Sequence, residues 1–164
     1  MVQTELTVEA ARPEDYGRIA ELTVGVYVGG RLASDDYTPQ LADVAGRAAR
    51  SELLVVRDGQ GRVVGSVALV LSGDFGEVTA SDEEAAFRML VVDPAARGLG
   101  VGQLLVSTCL GRAREAGKRR VVISTDPRMT TAHRLYERLG FTRLPERDWS
   151  PMPGIDLLVY SREL

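Results

Sequence analysis

The run Arg97-Gly98-Leu99-Gly100-Val101-Gly102 carries the densest chemical signal in the sequence. It follows an apolar stretch, Phe87 to Val92, that closes on Asp93-Pro94, and it opens a helical pattern reaching to about Arg114. Strand, glycine loop and helix in that order aim several backbone N–H groups and the positive end of a helix dipole at one point. That arrangement suits an anion, most often a phosphate. Without Cβ atoms the glycines let the chain turn sharply and let a bulky pyrophosphate come close. Arg97 adds a positive charge at the rim. A tight strand-to-helix turn with no ligand would use the same residues.

Spacing separates the phosphate-loop types. A Walker loop ends in Gly-Lys-Ser/Thr, whereas Gly102 is followed by Gln103 and Leu104. A dinucleotide fingerprint counted from Gly98 and Gly100 puts its third glycine at Gln103, so that match fails as well. What fits is Arg97-x-x-Gly100-x-Gly102. This spacing resembles the pyrophosphate loop of the GNAT superfamily of N-acetyltransferases, which bind acetyl-CoA. The segment from Arg88 to Pro94 is similar to that family's fourth strand. Ala132 to Phe141, with Leu135-Tyr136 ahead of Gly140-Phe141, resembles the second signature of the family, a helix ending in Leu-Tyr-x-x-x-Gly-Phe. The resemblance covers Arg88 to Phe141 by motif and the rest by element order. One position departs: many members carry an asparagine seven residues before the tyrosine, and here it is Met129. No amide contact to the cofactor carries over there.

The resemblance implies transfer of an acetyl group from acetyl-CoA to a primary amine by direct attack in a ternary complex. An amine of pKa about 10.4 is almost wholly protonated near pH 7, and freeing its lone pair costs roughly 4–5 kcal/mol. A base or a water relay must take that proton. The thioester carbonyl becomes an oxyanion that needs an N–H, and the departing thiolate benefits from a general acid. By resemblance Tyr136 is that acid, although its place on the apolar stripe of its helix also fits a core aromatic. Glu84 is the candidate base, because it shares strand parity with Arg88, Leu90 and Val92; a solvated loop acid beside Asp82 and Glu83 is the other reading. The resemblance further assigns Leu90 and Val92 to binding the pantetheine arm through their backbone. It assigns Arg97, Gly98, Gly100, Val101 and Gly102 to the cofactor phosphates.

In the family the acceptor usually sits between the first two helices and the last hairpin, so the resemblance points to Tyr27, Arg31, Asp35, Asp36 and Tyr37, with Asp148 and Trp149 from a late loop; the same residues are equally what any polar loop contains. Acids with aromatics suit a cationic amine, on a small molecule or a peptide. His133 reads as a surface side chain, and one His with one Cys implies no metal site. A domain that senses acyl-CoA and transfers nothing would keep the glycine loop and could dispense with Tyr136. Family members often dimerise, but nothing in the sequence identifies an interface.

The elements that position these groups follow from periodicity. Leu6 to Ala11 reads as a strand. A helix from about Pro13 carries Ile19, Leu22, Thr23 and Val26 on one face, and a second, started by Thr38-Pro39, carries Leu41, Val44, Ala45 and Ala48. Leu53 to Arg57 and Arg62 to Leu71 form a hairpin around Asp58-Gly59-Gln60-Gly61. Ser72 to Glu84 reads as a loop, and Phe87 to Val92 as the strand before the glycines. Next come a helix to about Arg114 and a strand at Val121 to Ser124. A helix from Thr131 to Leu139 follows, then strands at Phe141 to Leu144 and Ile155 to Tyr160 around a proline-rich loop. The order β-α-α-β-β-β-α-β-α-β-β is an α/β (α+β) chain with a mixed, mostly antiparallel central sheet flanked by helices, as in the GNAT fold.

The 164 residues suit one domain with a sizeable core, which the resemblance implies is a single N-acetyltransferase domain. The net charge of −3 offers no basic excess for nucleic acid. The single cysteine, Cys109, excludes an intrachain disulfide. The longest apolar stretch, Val63 to Leu71, is too short to span a bilayer, and no basic-then-apolar leader pattern opens the sequence, so the cytoplasm is the expected compartment.

Overall fold

The computed structural model describes residues 6–29, 38–72 and 79–164. Among them the elements run β1 (Thr7–Ala10), α1 (Tyr16–Tyr27), α2 (Thr38–Ala42), α3 (Val44–Arg50), β2 (Glu52–Arg57), β3 (Val63–Val70), β4 (Glu84–Val92), α4 (Val101–Glu115), β5 (Arg120–Thr125), α5 (Thr130–Arg138), β6 (Thr142–Arg143), β7 (Trp149–Met152) and β8 (Ile155–Glu163).

Three boundaries differ from the periodicity reading. The stripe of Leu41, Val44, Ala45 and Ala48 belongs to two helices, broken at Asp43. The Asp43 carboxylate accepts the Gly46 N–H at 3.0 Å and caps α3, a local bond that competes with helix continuation. β4 begins at Glu84, earlier than the apolar run suggested, because Glu84, Ala85 and Ala86 pair with Arg120, Val121 and Val122. β7 lies inside the expected proline-rich loop. It folds back on β8 through Trp149↔Leu157 and Met152↔Ile155, with Gly154 at φ +84° in the turn. Pro151 masks that strand in the sequence, since proline is tolerated in strands only at edges and irregular positions.

The chain forms two compact units, and β4 and α4 each contribute to both. One unit holds the described residues up to Leu69 with Met89–Thr108, the other Val70–Arg88 with Cys109–Leu164. In the first, β1, β2 and β3 pair antiparallel in sequence order. Ile19 and Leu22 of α1 and Val44 of α3 pack on Leu53, Val55, Val63, Ala68 and Val91 of the strands. Asp15 is buried but fully engaged. Its carboxylate accepts the Arg57 guanidinium at 3.0 and 2.6 Å and the Arg12 N–H at 2.9 Å, which together hold its pKa down against the effect of burial. In the second unit β4 runs parallel to β5, while β8 is antiparallel to β5 along its whole length and to β6 and β7. The pairing is thus mixed and mostly antiparallel.

One contact fixes α4 in the first unit. A Cβ built on Gly65 of β3 would come within 2.5 Å of Val101 Cγ1, 3.2 Å of Leu105 Cδ1 and 3.2 Å of the Val91 carbonyl oxygen. The branched Val101 side chain cannot swing its methyl aside as a long chain could. Gly65→Ala is therefore expected to cost about 1–3 kcal/mol by overpacking. For a chain of this size that lowers the melting temperature by about 2–4 °C per kcal/mol. An unchanged melt would show that α4 shifts without cost.

Candidate active site

β4 hands over to the glycine loop at Asp93. A short 3-10 turn, Pro94–Ala96, follows, and α4 starts at Val101. Gly98 and Gly100 stand at φ +83° and +82°, a left-handed backbone that favours glycine. A Cβ on either would meet nothing within 4 Å, so both face open space. The Leu104 N–H donates to the Gly100 carbonyl at 3.0 Å. The N–H groups of Val101, Gly102 and Gln103 come ahead of that first helical bond and point out of the helix start. Val101 is buried under the loop while Arg97, Gly98 and Gly100 are exposed. The first unit thus presents a cluster of outward N–H donors with a guanidinium at its edge, which is an anion cradle in chemical terms.

Leu90 and Val92, in the same unit, are half-buried, and the Leu90 carbonyl accepts the Tyr27 hydroxyl at 3.4 Å. Between them and Glu84 lies an irregularity invisible in the sequence: Met89 has φ +56°. A left-handed non-glycine residue within a strand is strained, of order 1–3 kcal/mol, and interrupts the pleat. The alternation of faces along β4 is interrupted at Met89. The parallel pairing of β4 with β5 stops at Ala86↔Val122, while β5 goes on to Thr125 beside β8.

Tyr136 is in the second unit, 4% exposed, with its ring 5.9 Å from Phe87, 5.7 Å from Phe141 and 6.0 Å from Tyr160. The ring is a core member, and a buried tyrosine still directs its hydroxyl to a polar partner. His133 is half-buried rather than on the surface: Nε2 lies 3.1 Å from the Asp126 carbonyl and 3.2 Å from Thr125 Oγ1. Burial pushes its pKa down, which keeps the ring neutral near pH 7.

Glu84, in the same unit, has a fully committed carboxylate. Arg147 donates to both oxygens at 2.8 and 3.0 Å, Arg120 to Oε2 at 3.3 Å and the Ala80 N–H to Oε1 at 2.8 Å. Burial would raise its pKa, but these donors outweigh it and hold the group below its ordinary value. A carboxylate with its lone pairs occupied and its pKa lowered is a weak proton acceptor at neutral pH. Glu84 is well built as an anchor for the segment carrying Arg147.

The next residues are locked too. Asp148 accepts a two-pronged bond from Arg143 at 2.8 and 2.7 Å and the Val159 N–H at 2.8 Å; Trp149 Nε1 donates to Ser124 Oγ at 2.9 Å. Asp148 is thereby occupied and is not a free acid for an amine. Arg31, Asp35, Asp36 and Tyr37 lie outside the described residues. Among the described residues no group of three His, Cys, Asp or Glu could hold a metal ion, and no helix is long and apolar enough to cross a membrane.

The model of the acetyltransferase (GNAT) family matches residues 12–141, a span that includes the glycine loop, β4 and α5. The chain belongs to the GNAT acetyltransferase family. A mycothiol acetyltransferase from Cellulomonas flavigena is 40% identical over 93 residues, 56% of this chain and 26% of that relative. Matches to other mycothiol acetyltransferases take in as little as 15% of their length, so the chain spans between 15% and 26% of these relatives. Among solved structures, a GCN5-related N-acetyltransferase from Kribbella flavida is 27% identical with a TM-score of 0.73, covering 97% of this chain and 98% of that one. A Salmonella typhimurium protein solved with its cofactor acetyl-CoA has the same fold, with a TM-score of 0.67 at 23% identity, over 98% of this chain and 94% of that one.

Sequence reasoning missed Met89, the arginine pair on Glu84 and the tie between Asp93 and α1 described below. Only the last left a signal, the Asp93-Pro94 dipeptide of a turn start.

Proposed function

We propose that this GNAT protein is an acetyl-CoA-dependent N-acetyltransferase that acts as a single domain on a primary amine of a small molecule or peptide. The observation that carries the reading is the pair of left-handed glycines, Gly98 and Gly100, opening onto free space at the start of α4. Their N–H groups and those of Val101 and Gly102, with Arg97, suit the two phosphates of the pyrophosphate. The backbone at Leu90 and Val92 would take the pantetheine arm as an added strand.

In the reaction the neutral amine nitrogen attacks the thioester carbonyl carbon. The C–N bond forms and the carbonyl oxygen takes the electron pair, stabilised by a β4 N–H. Collapse breaks the C–S bond; in the role that the family resemblance gives it, Tyr136 donates its hydroxyl proton to the departing thiolate sulfur and is reprotonated from water. The proton from the nitrogen leaves through water, since Glu84 is engaged by two arginines.

The test is acetyl transfer to a panel of polyamines, amino acids, aminoglycosides and short peptides, read by mass spectrometry of the acceptors. An acetylated product requiring acetyl-CoA supports the reading and names the acceptor class. Tight acetyl-CoA binding with no product across the panel would favour a sensor.

A further inference from the structure

The glycine loop leaves β4 at Asp93, and this residue is held from several directions. Its N–H donates to the Val64 carbonyl of β3 at 2.8 Å, and its own carbonyl accepts the Ala96 N–H at 2.8 Å. Oδ1 accepts the Ala95 N–H at 3.0 Å, which caps the 3-10 turn, and Oδ2 accepts Arg18 Nη2 at 2.6 Å. Arg18 belongs to α1. Its Nε donates to the Val63 carbonyl at 3.2 Å and its Nη1 to Glu21 at 3.0 Å. Both side chains are mostly withdrawn from water, 20% exposed for Arg18 and 13% for Asp93. Arg62 lies near the same oxygen, at 3.9 Å, but is largely exposed. These residues all lie in the first unit.

This pair has more geometry than an ordinary ion pair. The guanidinium fork reaches a β3 carbonyl and the Asp93 carboxylate together, which a lysine ammonium would not do in the same planar way. Pro94 fixes its own φ, so the direction of the following turn depends on how Asp93 is set. From α1, the Tyr27 hydroxyl reaches the Leu90 carbonyl and Arg18 reaches Asp93, so one helix grips β4 on both sides of Val92. The Ala95 and Arg18 bonds hold the Asp93 pKa below its ordinary value, so the charged form persists at neutral pH.

We infer that Arg18 and Asp93 are a positioning pair for acetyl-CoA: they fix where the glycine loop departs from β4 and so aim its N–H groups at the pyrophosphate. The inference rests on the reading of the loop as an acetyl-CoA site. A pair that only stabilised the fold would change how much protein is folded, and not how tightly the folded protein binds.

Titration calorimetry of the full chain with acetyl-CoA separates these cases, because stoichiometry reports the folded fraction and Kd the loop. It needs no knowledge of the acceptor. Asp93→Asn and Arg18→Gln are each expected to raise Kd about tenfold at unchanged stoichiometry, a part of what a charge-assisted bond supplies. The double variant should raise it no further than the stronger single, since the two residues act as one unit. If Asp93→Asn does not fold, Arg18→Gln carries the test. A wild-type Kd in the folded variants, or effects that sum in the double, would overturn the inference. Gly100→Val serves as the reference: it is expected to weaken binding by straining the loop. If it does while the pair variants bind normally, only the pair assignment fails. If Gly100→Val also binds normally, the loop reading itself fails.

Discussion

Replacing Tyr136 by phenylalanine is expected to lower turnover about a hundredfold, the lower end of what a positioned general acid supplies, while acetyl-CoA binding stays close to wild type. The packing explains why the variant isolates chemistry from structure. The ring sits among Phe87, Phe141 and Tyr160, and phenylalanine keeps those contacts and loses only an oxygen. The fold should therefore survive, with a stability loss of about 0.5–1.5 kcal/mol for one hydrogen bond. Without the hydroxyl, the thiolate must leave unprotonated or take its proton from water, and the barrier for C–S cleavage rises. The comparison to make is kcat at saturating acetyl-CoA, alongside Kd by calorimetry. A fall in kcat at constant Kd assigns the acid. An unchanged kcat would remove Tyr136 from the chemistry and leave it as a core aromatic.

The motif residues were legible because their physics is local. Gly98 and Gly100 need positive φ whatever surrounds them, and Gly-x-Gly ahead of an apolar helix states that need in the sequence. The stripe of α5 with Tyr136 follows from helical spacing alone. Met89 was not legible, because methionine gives no sign of a left-handed site, and nothing in its neighbours' types marks the φ of +56°. Glu84 shows the same limit from another side. Its sequence neighbours, Asp82 and Glu83, suggest a solvated acidic loop, but what decides its chemistry is Arg120 and Arg147, far along the chain. Asp148 fits this pattern as well: as a loop acid it is a plausible amine binder, and only the fold brings Arg143 and the Val159 N–H onto it. Long-range partners of charged side chains are set by tertiary structure, and no periodicity encodes them.

Glu84→Ala is expected to destabilise the protein by about 3 kcal/mol and to lower its melting temperature by about 6–12 °C. Removing one member of a buried pair costs roughly 3–5 kcal/mol because the partner charge is left uncompensated. The lower figure applies because Arg147 and Arg120 are 26% and 32% exposed and can recover some hydration, while the lost carboxylate was 2% exposed. The pH dependence has a defined sign. The folded-state pKa of Glu84 lies below its ordinary value of 4.5, so its contribution is complete above that value and fades as the pH falls through the folded pKa. Wild type and variant should therefore differ most near neutrality and converge in acid, which urea titrations at several pH values will read. Glu84→Gln decides between anchor and base. An anchor predicts near-normal kcat at temperatures where the variant is folded, together with a lowered melting temperature. A large fall in kcat with unchanged stability would return the base to Glu84 and displace the water relay.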